Sequence, residues 1–75
     1  SDANAKKNIV IVFDIPETHH LLRDRIRCLL KDSGFIRLQK SVWWTQYDVG
    51  IILNEWIRRH KLISMLTVFD AKRLV

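Results

Sequence analysis

The chain has 75 residues, 48% of them hydrophobic and 28% charged, with a formal net charge of +5. That length holds one domain, which at this size removes only about 60% of its unfolded-chain surface from water. The apolar content, with three Trp and three Phe, excludes a disordered tail, and the lack of any run of about 18 apolar residues excludes a membrane-spanning helix. No secretory signal is legible. The single Cys28 excludes an internal disulfide and fits a reducing, cytoplasmic setting. The basic excess favours nucleic acid or another polyanion as partner, and the plain alternative is solubility charge on helix surfaces.

Residues 1–5 are small and polar and begin without Met. They read as a purification scar or the end of a linker, which leaves residues 6–75 as the domain. The first strand is expected over about Asn8 to Asp14. Ile9 to Phe13 are five consecutive apolar residues, four of them β-branched, as in a strand buried on both faces. Pro16 then disfavours helical geometry at Ile15 and forces a turn. Glu17 to Asp32 is the first helix, with Thr18 as N-cap and Leu22, Ile26, Leu29 and Leu30 as its apolar stripe. Gly34 suits the left-handed residue after that helix, with Phe35 folding back onto its last turn.

Phe35 to Gln39 alternates and reads as the second strand, and Val42 to Thr45, rich in aromatic and β-branched residues, as the third, the two joined by a short hairpin at Lys40 and Ser41. Asp48 is placed to cap a second helix, Asp48 to His60, with Val49, Ile52, Leu53, Trp56 and Ile57 inward. Arg58, Arg59, His60 and Lys61 complement the negative end of its dipole. Ile63 to Phe69 is the fourth strand, and Asp70 to Val75 a tail able to add a fifth.

This order is the ferredoxin-like βαββαβ plan, an α+β fold with two helices on one face of an antiparallel sheet. In it the first strand is central. Its pleat sends Ile9, Ile11 and Phe13 to one face and Val10, Val12 and Asp14 to the other. Trp43 and Trp44 likewise point in opposite directions. A sheet with one wet face should alternate apolar and polar residues, and this one does not. A second copy around a two-fold axis is the simplest cover, so a sheet-mediated homodimer is expected, with Val10, Val12, Trp43 and Trp44 at its interface. A neighbouring domain is the other possible cover.

The third strand runs antiparallel to the first, so Ser41 should lie near Asp14, with Asp70 at the far end of the sheet. Asp14 has two readings: a cap on backbone amides in the turn, or a metal ligand. A phosphodiesterase needs several carboxylates around its ions, and one chain brings only Asp14 here. Arg23, Arg25, Arg27, Arg37 and Lys40 read either as dispersed phosphate donors or as solvated charge partly neutralised by Asp24 and Asp32. Adjacent His19 and His20 point about 100° apart on a helix and suit an exposed first turn better than a metal site. The Trp residues suit burial or an interface better than base stacking. Cys28 has no catalytic His at readable spacing.

Val12-Phe13-Asp14-Ile15-Pro16-Glu17, Arg23-Asp24-Arg25-Ile26-Arg27, Gly34-Phe35 and Leu38-Gln39-Lys40-Ser41-Val42-Trp43 together resemble the phenylacetate-degradation repressor (PaaX) family, at its Cas-two-like domain. The resemblance covers about Asn8 to Phe69. It implies a dimerisation and regulatory domain of a transcriptional regulator, with DNA reached directly or through an upstream winged-helix domain. The chain is also similar to CRISPR-associated Cas-two proteins. That likeness implies the alternative, a metal-dependent endonuclease or an adaptor in spacer integration, with Asp14 as catalytic metal ligand and Mg2+ as the ion. The Arg-rich helix, Gly34-Phe35 and Trp43 favour the repressor side. A bare protein-interaction module is the third class.

Overall fold

The computed structural model describes residues 6–72 and 74–75. In chain order they form β1 (Ile9–Phe13), a 3-10 turn (Glu17–His19), α1 (His20–Asp32), β2 (Ile36–Gln39), β3 (Val42–Thr45), α2 (Gly50–Arg59) and β4 (Leu66–Asp70). The apolar run of β1 takes the inner position of a four-stranded sheet ordered β2-β3-β1-β4, with every neighbouring pair antiparallel. Ile11 stands opposite Trp43 on one side and Val68 on the other, and Val12 opposite Val42 and Thr67.

Alternation along β1 sorts the layers. Ile9, Ile11 and Phe13 are buried, and Val10 and Val12 are half-buried. Both helices cover the first set: the cleft between them is floored by Ile11 and walled by Ile26 and Leu30 of α1 and Leu53 and Trp56 of α2. Ile15, Phe35, Trp43, Ile57, Leu62 and Leu66 complete the same buried cluster. Among the described residues no helix lies over Val10 and Val12.

The helix starts differ from expectation. Thr18 sits inside the 3-10 turn, which is closed by the His19 N–H donating to the Pro16 carbonyl at 2.9 Å. The α-helix therefore begins after His19, and neither start carries a side-chain cap. Asp48 caps nothing either. The chain tightens through a Val49 N–H to Tyr47 carbonyl bond of 2.9 Å, and Val49 takes the cap position of α2. Ile52, expected inward, is 70% exposed at the rim of the interhelical cleft, because Leu53, Trp56 and Ile57 already fill the inner face.

The helix ends are more regular. The Phe35 N–H bonds the Leu30 carbonyl at 2.9 Å and the Gly34 N–H bonds Lys31 at 3.2 Å, a Schellman motif with buried Phe35 against buried Leu30. Gly34 has φ +89°, and a Cβ there would meet the Tyr47 ring at 3.0 Å. Gly34→Ala is expected to cost about 1–2 kcal/mol for the left-handed backbone, read as a lowered midpoint in thermal unfolding followed by circular dichroism. α2 ends in the same way without glycine: Lys61 takes φ 57°, and the Leu62 N–H reaches the Ile57 carbonyl at 2.9 Å.

After that motif the Met65 and Leu66 N–H groups both donate to the Leu62 carbonyl at 2.9 Å. This turn occupies residues 62–66, so β4 starts at Leu66 and not at Ile63, which is exposed. Beyond Asp70 the described residues form no fifth strand; the Ala71 N–H to Asn8 carbonyl bond of 2.7 Å extends the pairing with the chain before β1.

Candidate functional site

Three features of the sequence were expected to carry function: the acid after β1, the basic residues of α1 and the hairpin, and the uncovered sheet face. Asp14 follows the last residue of β1. Its N–H donates to the Met65 carbonyl at 2.8 Å, and the preceding Phe13 N–H donates to the Ser41 carbonyl at 3.0 Å. Ser41 therefore lies at the same end of the sheet as Asp14, as antiparallel pairing requires. Asp70 pairs in register with Ile9 at the opposite end and meets Lys7 Nζ at 3.8 Å.

The Asp14 side chain is exposed, and among the described residues it forms no hydrogen bond or ion pair, so it is not the backbone cap the turn suggested. No group of three or more His, Cys, Asp or Glu suited to a metal ion occurs among the described residues. Asp14→Ala is accordingly expected to leave stability within about 0.5 kcal/mol of the parent, the usual size of a surface change; urea denaturation measures it. His19 and His20 are exposed at the start of α1, and Cys28 is an exposed free thiol.

The basic residues divide between the two flanks of α1. Arg23 and Arg27 are four residues apart and share a face. Arg23 Nη1 bonds Glu17 Oε1 at 3.3 Å, and Arg27 Nη1 lies 3.8 Å from Asp24 Oδ1. The Glu17 carboxyl is held below its usual range by the Arg23 hydrogen bond and charge, with weaker pulls from Lys40 and Arg27. Those pulls place Lys40 in the same field. Toward β2, a groove of about 500 Å³ is lined by Arg27, Lys31 and Arg37 together with Phe35, Ile36 and Trp43. Arg25 does not belong with them. It lies on the other flank, against Leu22, Leu29, Trp56 and Leu62, because a helix turns about 100° per residue.

The uncovered face carries Val10, Val12, Val42 and Trp44, all half-buried, and Ile36 and Phe69, which are 57% and 51% exposed. The register puts Val10 beside Trp44 and Phe69, and Ile36 beside Trp44. Leu38 joins Val10 and Trp44 around a shared hollow. Trp44 Nε1 donates to Asn8 Oδ1 at 2.9 Å, which holds the indole across the strand start. Trp43 leaves the expected interface set. It is 5% exposed, turned to the helix layer, and already buried within one chain.

Comparison with protein families matches residues 5–75 to the PaaX protein central Cas2-like domain. The chain belongs to that family. Searches of curated proteins and of solved structures gave no match. In this PaaX-family domain no helix is long and apolar enough to cross a membrane, among the described residues.

Sequence reasoning missed several residues of the PaaX-family domain. Lys31 was foreseeable, lying one helical turn after Arg27 on the face that became the groove. Ile36, Leu38 and Phe69 carried a signal as well, since each stands two residues from, or in register with, another apolar residue of the open face.

Proposed function

We propose that this domain is the dimerisation and regulatory unit of a PaaX-type transcriptional regulator acting in the cytoplasm. Two copies pair through their open sheet faces around a two-fold axis. The observation that carries this reading is the apolar surface formed by Val10, Val12, Val42, Trp44, Ile36, Leu38 and Phe69, left bare by both helices. A contiguous apolar sheet face on a chain this small favours association, since the domain alone buries little core. The strand order and antiparallel pairing support the ferredoxin-like βαββαβ plan as the scaffold of that dimer.

Within such a dimer Arg23, Arg27, Arg37 and Lys40 form a basic flank away from the paired faces. Dispersed cations without groove-reading elements contact phosphates and position DNA, while sequence is read by other parts of the regulator. Sedimentation velocity at micromolar concentration tests the dimer. Twice the chain mass supports it, and a monomer overturns it. Salt-dependent retention on heparin tests the phosphate contact; retention indifferent to salt counts against it.

A further inference from the structure

Three N–H donors are buried without an acceptor among the described residues: Arg23 Nε, Arg27 Nε and Trp43 Nε1. Folded chains rarely leave such groups unmet, because the lost hydrogen bond to water is not replaced. The three are not scattered. Arg27 and Trp43 line the same groove on the β2 side of α1, and Arg23 lies one helical turn before Arg27 on the same face. The nearby acids do not supply the need. Glu17 and Asp24 engage the outer Nη1 nitrogens at 3.3 and 3.8 Å, and the inner Nε groups stay unpaired.

We infer that this flank of α1 is an oxyanion site for a phosphate-type group, held by Arg23, Arg27 and Trp43 and surrounded by Lys31, Arg37 and Lys40. A group that brings only acceptors and negative charge suits donors of this kind, which neither a cation nor an apolar ligand does. Trp43 is 5% exposed, so its N–H is a fixed donor at the groove wall. The Arg23 and Arg27 side chains keep 18% and 24% of their surface exposed, so each guanidinium reaches solvent at the rim of the site. The proposal deepens the basic-surface part of the proposed function, and a free anion tests it without DNA and without the dimer.

The test is a titration of the 15N-labelled domain with inorganic phosphate at constant ionic strength balanced by chloride. The Trp43 indole N–H and the Arg23 and Arg27 Nε–H signals are expected to shift and saturate together. The Trp44 indole, already bonded to Asn8, serves as internal control and should stay in place. Arg27→Gln should weaken phosphate at least about tenfold, the weight of one charge-assisted hydrogen bond. Arg25→Gln, on the opposite flank, should change nothing. Displacement of phosphate by a short duplex assigns the site to the nucleic-acid backbone; phosphate binding that the duplex leaves untouched assigns it to free phosphate compounds, and either result keeps the site. A Trp43 signal that ignores phosphate, a shift that follows ionic strength alone, or equal losses in the Arg25 and Arg27 variants would overturn it. A monomeric domain, or one indifferent to DNA, would sink the proposed function while leaving the phosphate result standing.

Discussion

Val12→Asp is expected to hold the domain monomeric while leaving its secondary structure intact. Val12 lies in the middle of the open face, opposite Val42 and Thr67, with no helix above it. In a single chain the new carboxylate faces water, so the local cost is within the roughly 1 kcal/mol span of strand preferences. In a two-fold dimer the change enters twice, and each charge loses solvent without gaining a partner. Such desolvation costs several kcal/mol per ion, enough to lower a micromolar association beyond detection. Sedimentation velocity reads the mass and circular dichroism the fold. Unchanged self-association in Val12→Asp would move the interface off this face. Trp44→Ala is a milder second probe, because it removes the largest side chain of the patch and the bond to Asn8.

Ile11→Ala is expected to destabilise the domain far more than a truncation on the open face. Ile11 is 1% exposed and forms the floor on which α1 and α2 meet. A large-to-small change at a packed site costs about 2–5 kcal/mol through lost transfer energy and the cavity left behind. A domain of this length has about 4–11 kcal/mol in total, so the change removes a large share. The thermal midpoint should drop by about 4–8 °C per kcal/mol, and urea denaturation should show a lower midpoint at unchanged slope. Val10→Ala, one residue away on the open face, should cost the monomer much less. Equal losses at the two positions would mean that the open face is as well packed as the helix-covered one.

Legibility in the sequence followed how local each cause is. Gly34 was readable because only glycine takes φ +89° without strain, and Phe35 supplied the apolar contact of the same motif. The equivalent turn at Lys61 was not readable. There the hydrogen bonds from Lys61 and Leu62 and the burial of Leu62 hold a left-handed lysine in place, and no residue type announces that. Thr18 and Asp48 misled for a related reason. Both are good capping residues, but Pro16 and the Tyr47–Val49 turn decide where the backbone enters each helix, one or more residues later than the side chains suggested.

The site divides in the same manner. That Arg23 and Arg27 share a face follows from helical spacing alone, and that Ser41 nears Asp14 follows from antiparallel pairing. That Arg25 stands apart from them, that Lys31 belongs with them, and that Trp43 brings an unpaired N–H depend on which flank of α1 meets β2.

The sequence by itself determined that β1 is central, that its two faces are both apolar, and that Trp43 and Trp44 part company. These follow from composition and from the two-residue pleat of a strand, which any chain obeys before it packs. Only the tertiary structure decided which face the helices take, because alternation sets the two faces relative to each other and leaves their roles open. Once α1 and α2 settle over Ile11, Trp43 becomes core, and Val12 and Trp44 remain on the face that a second chain can cover.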